Sequence, residues 1–211
     1  MNSSRRRADM APVVVFTVGH STRTIDAFVH LLQAHGIQRV IDVRSIPRSR
    51  HNPQFGQEQL PAALRRFGID YSHLPGLGGR RHARRDSTNT GWRNVSFRGY
   101  ADYMETPAFK ESLNRCLALA HEERVVLMCA EAVPWRCHRS LIADVLLARG
   151  VEVRDITSAM HSRPHALTPW ARLRGVDVTY PAADFHTDHV TNARVDNGPP
   201  VRGYRPKETH P

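Results

Sequence analysis

Short apolar runs alternate with segments of helical spacing along most of the chain. Five runs have the apolar, largely β-branched content of strands buried on both faces of a sheet; they begin near residues 13, 40, 69, 124 and 151. Between them apolar residues recur at helical spacing, and Gly36, Gly68 and Gly150 stand where helices commonly end. The pattern predicts alternating strands and helices.

Such alternation favours a three-layer α/β fold. We expect a mainly parallel, five-stranded, Rossmann-like sheet with helices on both faces, joined by right-handed crossovers. Residues 12–158 would form this domain behind a flexible lead over residues 1–11. Seven of the fourteen prolines fall within residues 161–211, where the periodicity stops. We therefore expect a proline-rich extended or disordered tail over residues 159–211, dispensable for folding.

A long irregular segment, residues 75–99, interrupts the alternation. It contains five glycines and six arginines. Unstructured loops of this length in a compact domain are usually functional or disordered. The segment is therefore a candidate binding loop, although a solvated run of charge explains the arginines equally well.

Charge and cysteine content narrow the class of protein. The formal net charge is +10, and 28 of the 30 basic residues are arginines, whose guanidinium groups suit phosphate. Three cysteines are too few for a disulfide scaffold. No apolar run approaches the roughly 20 residues that cross a bilayer, and no export signal is recognisable. We expect a cytoplasmic protein with reduced thiols, an anionic partner and no membrane association.

Polar residues collect where the predicted strands end. Because parallel strands present their carboxyl ends at one edge of a sheet, these residues are expected to share one site. They are His20 and Ser21 after the first strand, Asp42 and Arg44 at the second, Gly78 and Gly79 after the third, and Cys129, Glu131, Arg136, His138 and Arg139 after the fourth.

Each of these pieces also has a structural explanation. Ser21 can cap a helix, Asp42 and Arg44 can form a buried ion pair, and glycine loops are common. Cys129 precedes a helix amino end that favours thiolate, whereas the spacing of Cys137 also fits core packing. A metal site would combine Cys129, Cys137 and His138 with His20 or His73, and this alternative stays open. The C-x₇-C-H spacing matches no familiar zinc pattern, so no metal or other cofactor is predicted.

Several short motifs carry a family resemblance. They are Gly19-His20-Ser21, Asp42-Val43-Arg44, Pro47 with Ser49, Leu77-Gly78-Gly79, Gly99-Tyr100-x-x-Tyr103-Met104, and Cys129-Ala130-Glu131-x-x-Pro134-x-x-Cys137-His138-Arg139 followed by Ile142-Ala143. In this order they resemble the domain-of-unknown-function family 488, from about residue 13 to residue 157. The resemblance implies the fold and the position of the site, but no particular reaction.

A looser resemblance links Cys129 to rhodanese-type sulfurtransferases, in which a cysteine also lies between a strand and a helix. It implies sulfur or thiol chemistry at Cys129. The chain departs from that plan because Glu131 and Pro134 occupy the loop, where a carboxylate would repel an anion and proline supplies no N–H.

Two further functions stay open beside thiol chemistry. The sequence does not decide whether the protein is an enzyme, and it gives no oligomeric state. The first is binding of a phosphate-bearing ligand, a nucleotide or nucleic-acid end, with hydrolase-type acid/base chemistry. Here Arg44, Arg136 and Arg139 would hold the anion, and His20, Asp42 and Glu131 would transfer protons. The second is a nucleic-acid-binding module that uses Arg80, Arg81, Arg84 and Arg85 on phosphates and Trp92 for stacking.

Overall fold

A six-stranded sheet forms the centre of the computed structural model, which describes residues 12–48 and 51–182. The strands are β1 Val14–Gly19, β2 Arg39–Asp42, β3 Asp70–His73, β4 Val125–Cys129, β5 Glu152–Ser158 and β6 His161–Pro164. Their order is β3-β2-β4-β1-β5-β6, with the first five parallel and β6 antiparallel to β5. Two short strands, β7 Arg172–Arg174 and β8 Asp177–Thr179, form a separate hairpin.

Helices cover both faces of the sheet. Within the described residues they are α1 Ile25–Ala34, α2 Leu60–Arg65, α3 Val95–Met104, α4 Pro107–Glu122 and α5 Arg139–Ala148. The side chains of Thr24, Asn94 and Thr106 cap α1, α3 and α4 by accepting backbone N–H groups. None of these helices has the length and apolar character that spanning a bilayer requires.

The sequence of the central strand β4 is apolar throughout because both faces of the strand are buried. Val125, Leu127 and Cys129 pack into the core under α3, α4 and α5, whereas Val126 and Met128 pack into the core under α1 and α2. All five residues of the strand are buried. A strand covered on both faces needs this continuous run, as the sequence predicted.

The connections reverse direction between β1 and β4. From β1 the chain crosses through α1 to β2 on one side, and from β4 it crosses through α5 to β5 on the other side. Such a switch leaves a crevice beyond the carboxyl ends of the strands, where ligands bind in open α/β sheets. The order differs from the dinucleotide-binding order 3-2-1-4-5-6, because β4 lies between β1 and β2.

The predicted α/β class is confirmed, but the number of strands and part of the loop assignment need correction. The sixth strand, β6, is a short edge strand of polar residues, which have no hydrophobic period to reveal them. Helix α3 begins at Val95, inside the segment predicted to be irregular. Its polar residues and Gly99 weaken the helical pattern, and contacts with the body of the domain stabilise it instead.

The prediction of an extended or disordered tail from residue 159 is wrong for residues 161–182. This segment adds β6, β7 and β8, and Tyr180 is completely buried. The Tyr180 hydroxyl donates to Asp144 on α5 at 2.8 Å. The predicted lead over residues 1–11 and residues 183–211 of the predicted tail lie outside the described residues.

A buried ionic cluster holds this added segment in place. The His165 ring bonds Asp155 of β5 through Nδ1 and Asp144 of α5 through Nε2, each at 3.1 Å. Asp155 also accepts the hydroxyl of Thr17 at 2.6 Å. Burial lowers the pKa of His165, but the hydrogen bonds to the two carboxylates outweigh it and raise the pKa to about 9.

The first prediction concerns stability between pH 6.5 and 9. Because the folded pKa of His165 lies above the unfolded value of about 6.5, its contribution is complete below pH 6.5 and is lost as the pH rises toward 9. We expect the wild type to lose on the order of 3 kcal/mol across this window, and His165→Gln to lose much less, in denaturant titrations at a series of pH values.

His161→Gln, at an exposed position of β6, is the matched control and should keep the wild-type pH profile. Parallel stability profiles for His165→Gln and the wild type would show that His165 is not the group responsible.

Candidate functional site

A cleft of about 420 Å³ opens beyond the carboxyl ends of the central strands. Its walls come from the chain after β2, the start of α3, and the loop between β4 and α5. The charged, sulfur-bearing and aromatic side chains of its lining are Arg44, Arg48, Arg80, Arg136, Glu131, Cys129, Cys137, His138, Phe97 and Tyr100.

Two thiols and an imidazole meet in this cleft. The Sγ atoms of Cys129 and Cys137 and a ring nitrogen of His138 all lie within 4.8 Å of one another. Cys129 ends β4, and the other two residues immediately precede α5. Both cysteines are buried, and Cys137 Sγ lies 3.7 Å from His138 Nδ1. The sequence allowed Cys137 either a core or a site role, and in the structure it has both: it packs in the core and lines the cleft.

A backbone contact fixes the orientation of the His138 ring. Its Nε2 lies 3.0 Å from the carbonyl oxygen of Val43 and must donate to it, which leaves Nδ1 as the acceptor that faces Cys137. A Cβ atom added to Gly79 would lie 2.7 Å from this Nδ1, so only glycine admits the ring here. Gly78 similarly makes room for Ser45, with 2.5 Å from an added Cβ to Oγ.

The paired thiols polarise each other. The hydrogen bond from Cys137 is the largest influence that lowers the pKa of Cys129 well below its ordinary value; burial opposes it, and His138 and Arg139 reinforce it. The same hydrogen bond, together with burial, raises the pKa of Cys137. The thiolate form is therefore favoured at Cys129 and the protonated form at Cys137.

Asp42 and Arg44 form a buried ion pair beside the cleft. Asp42 Oδ1 accepts from Arg44 Nε at 2.9 Å, and Oδ2 accepts from Nη2 at 2.5 Å and from the Tyr71 hydroxyl at 2.8 Å. Arg44 Nη2 also donates to the Phe55 carbonyl. Asp42 is completely buried and does not line the cleft. Its position suits it to hold Arg44 in place.

His20 belongs to the same buried network. Its ring stacks on Phe55 with centroids 4.1 Å apart, its Nδ1 lies 2.8 Å from the Ser21 carbonyl, and its Nε2 lies 3.2 Å from Arg44 Nη1. Burial is the largest cause that lowers the pKa of His20, so the ring is neutral at pH 7. His20 and Ser21 line a neighbouring cavity that also reaches Glu131.

The loop after β4 crosses directly over Gly19. A Cβ atom added to Gly19 would lie 1.9 Å from the Glu131 carbonyl oxygen, closer than any contact a side chain tolerates. The same carbonyl accepts from Arg139 Nη1 at 3.0 Å. The Glu131 side chain is exposed at the cleft and accepts the Val133 N–H. Glu131 is thus held by its backbone while its carboxylate faces solvent.

Arg139 lies behind the thiols and is not part of the cleft lining. It is 1% exposed, and its Nη1 lies 3.7 Å from Cys137 Sγ. Nε and Nη2 are buried without a hydrogen-bond partner among the residues that the structure describes. In this position the positive charge of Arg139 favours the thiolate forms of both cysteines and so acts to lower their pKa values.

The arginine-rich loop is partly bound to the protein itself. Arg81 lies over the Tyr103 ring at 3.6 Å, and Arg84 Nη2 pairs with Glu105 at 2.7 Å. Trp92 stacks on Phe97 and contacts Trp170 edge-on, so its ring already has aromatic partners in the protein. Arg80 and Arg85 are exposed. The nucleic-acid role predicted for this loop stays a prediction.

The tyrosines of α3 hold the glycine turn that forms one wall. Tyr100 donates to the Leu77 carbonyl at 2.7 Å, and Tyr103 donates to the Gly76 carbonyl at 2.8 Å. Gly99 lets the helix approach the backbone of residues 81–83, 2.5 Å from the position of an added Cβ. The Gly99-Tyr100-x-x-Tyr103 motif therefore builds the cleft wall.

Fold and site together define an α/β protein with a cleft at a sheet edge and a buried cysteine pair inside it. The sequence model of the family described as "Domain of unknown function DUF488" matches residues 24–146, more than half of the chain, and the chain belongs to this family. No curated protein and no solved structure matches the chain. Ser49 of the family motifs lies outside the described residues, and the resemblance to sulfurtransferases stays a prediction.

The second prediction concerns the buried ion pair. Asp42→Ala leaves the guanidinium of Arg44 buried without its carboxylate, which costs about 3–5 kcal/mol. The free energy of unfolding, measured in urea, should fall by this amount. Asp42→Ala combined with Arg44→Met should be more stable than Asp42→Ala alone.

Asp70→Ala is the control, because this carboxylate pairs with Arg39 at the surface and is 63% exposed. Its loss should cost about 1 kcal/mol or less. Equal costs for Asp42→Ala and Asp70→Ala would contradict a structural role for the buried pair.

Proposed function

We propose that this protein binds a small phosphate-bearing ligand, such as a nucleotide, in the cleft at the carboxyl ends of the strands. The observation that carries the proposal is the charge of the lining. Arg48, Arg80 and Arg136 are exposed there, and no ion pair engages them within the described residues. Glu131 is the acidic side chain of the lining, so positive charge dominates.

The size and shape of the cleft favour a small molecule over a polymer. Its volume of about 420 Å³ is within the range of ordinary ligand pockets. Phe97, which is half-buried in the lining, supplies aromatic surface beside the arginines, and this suits a base or another flat group. Nucleic-acid binding is the weaker candidate, because Arg81, Arg84 and Trp92 already have protein partners.

Distinct groups would then hold the ligand and handle protons. The three exposed arginines bind phosphate oxygens by charge-assisted hydrogen bonds, and the Asp42–Arg44 pair fixes the wall between them. Glu131 has the exposed carboxylate that can exchange a proton with a bound ligand. His20 and Asp42, both buried outside the cleft lining, support this arrangement instead of acting on the ligand.

The third prediction tests the anion site by calorimetric titration with inorganic pyrophosphate and with a nucleoside diphosphate. Each arginine–phosphate contact is worth about 1.5–3 kcal/mol, or tenfold and more in affinity. Replacing Arg48, Arg80 and Arg136 together by Gln should therefore weaken binding by about 100-fold or more.

A second triple variant, with Arg65, Arg66 and Arg115 replaced by Gln, removes the same charge from exposed positions outside the cleft. It should bind as the wild type does. Equal losses in the two triple variants would mean that net charge, and not the cleft, attracts the anion. Binding of an oligonucleotide but of neither small ligand would favour the nucleic-acid module.

A further inference from the structure

We infer that Cys129, Cys137 and His138 form a three-ligand site for Zn²⁺, with the fourth coordination position open to the cleft. The sequence predicted no metal, because the ligand spacing is unfamiliar. The inference rests on the geometry of the three side chains. It is independent of the proposed anion binding.

The distances between the ligand atoms fit tetrahedral coordination. With Zn–S bonds of about 2.3 Å and Zn–N bonds of about 2.0 Å, a sulfur and a nitrogen on one ion lie about 3.6 Å apart. Cys137 Sγ and His138 Nδ1 are 3.7 Å apart, and all three ligand atoms lie within 4.8 Å of one another. An ion between them therefore needs only small adjustments of the side chains.

The backbone conformation explains how the neighbouring residues Cys137 and His138 can direct their ligand atoms toward the same metal position. Cys137 is extended, with φ −127° and ψ 142°, and His138 turns into the helical region, with φ −55° and ψ −18°. Side chains of successive extended residues point to opposite faces. The turn at His138 brings its Nδ1 back toward the sulfurs.

The surroundings of His138 match those of a metal-bound imidazole. Its Nε2 donates to the Val43 carbonyl at 3.0 Å, so the lone pair is on Nδ1, the atom beside the thiols. Histidines that bind metals usually donate their other ring N–H to a carbonyl or carboxylate in this way. Gly79 leaves the space in which this ring position is possible.

The charge of the site also suits a divalent cation. Both sulfurs are buried, and buried charges in proteins are paired or coordinate a metal ion. Zn²⁺ neutralises two thiolates, and the imidazole adds no charge. Arg139 Nη1, 3.7 Å from Cys137 Sγ, then donates to a coordinated thiolate.

The number of ligands predicts what the ion does. Structural zinc sites usually have four protein ligands, whereas sites with three leave one position for water or substrate. Among the residues that the structure describes, the cluster that could hold a metal ion consists of these three side chains, and all three line the cleft. The open position therefore faces the same space as Arg80, Arg136 and Glu131.

The fourth prediction is metal binding by the purified full chain. We expect one Zn²⁺ per chain by elemental analysis, and with Co²⁺ the thiolate-to-metal charge-transfer absorption and intense visible bands of a tetrahedral site. Cys129→Ser, Cys137→Ser and His138→Gln should each lower the metal affinity by at least tenfold. Cys116→Ala, which removes a thiol on the buried face of α4, should leave the metal affinity unchanged.

His138→Cys keeps three ligands and should retain Co²⁺ with stronger charge-transfer absorption, even where a serine variant fails to fold. In the wild type, Cys129 and Cys137 should resist alkylation until a chelator is added. Absence of Co²⁺ or Zn²⁺ binding by the reduced wild type, with rapid alkylation of Cys129, would overturn the inference in favour of a free nucleophilic thiol. Failure of the chain to take up zinc after a reductant has opened a Cys129–Cys137 disulfide would overturn it as well.

The metal and anion experiments test the two proposals independently of each other. The triple variant of Arg48, Arg80 and Arg136 should still bind one Co²⁺ with an unchanged spectrum. Loss of the Co²⁺ spectrum in that folded variant would contradict the assignment of the metal to the sulfur and imidazole ligands.

Discussion

The position of β4 between β1 and β2 is the constraint on which the site depends. Hydrogen bonding on both sides fixes the register, so Gly19 of β1 lies opposite Cys129, and Asp42 of β2 lies opposite Met128. Three strand ends therefore deliver an imidazole, an ion pair and a thiol to one edge of the sheet. The two crossovers that leave β1 and β4 in opposite directions keep helices away from this edge and leave the crevice open.

Close packing at two glycines converts that edge into a defined site. Gly19 lets the loop after β4 cross the end of β1, and Gly79 lets the His138 ring lie beside the sulfurs. These contacts are between backbone or rigid rings, so a single added methyl group has no cheap relaxation. Gly19 and Gly79 are therefore explained by packing around the thiols.

How far the sequence could predict this structure differs from element to element. β4 and the crevice were predictable, because a continuous apolar run and polar strand ends are local signals. The approach of the His138 ring to the two thiols was not, because it depends on a turn at His138 that leaves no period in the sequence. β6 and Tyr180 were missed because a polar edge strand and one tyrosine between prolines carry no hydrophobic pattern. Only tertiary partners give them structure.

The missed segment in turn bears on the site. Asp144 of α5 accepts the Tyr180 hydroxyl, the His165 ring and the Thr168 N–H, and Asp155 ties the same histidine to Thr17 of β1. Residues 161–182 therefore fix the rotation of α5 against the sheet from behind. Because α5 begins at Arg139, directly after Cys137 and His138, this rotation determines where the sulfur and imidazole point. A buried polar cluster with several fixed partners permits fewer alternative orientations than apolar packing does, so the added segment contributes to the precision of the cleft as well as to stability.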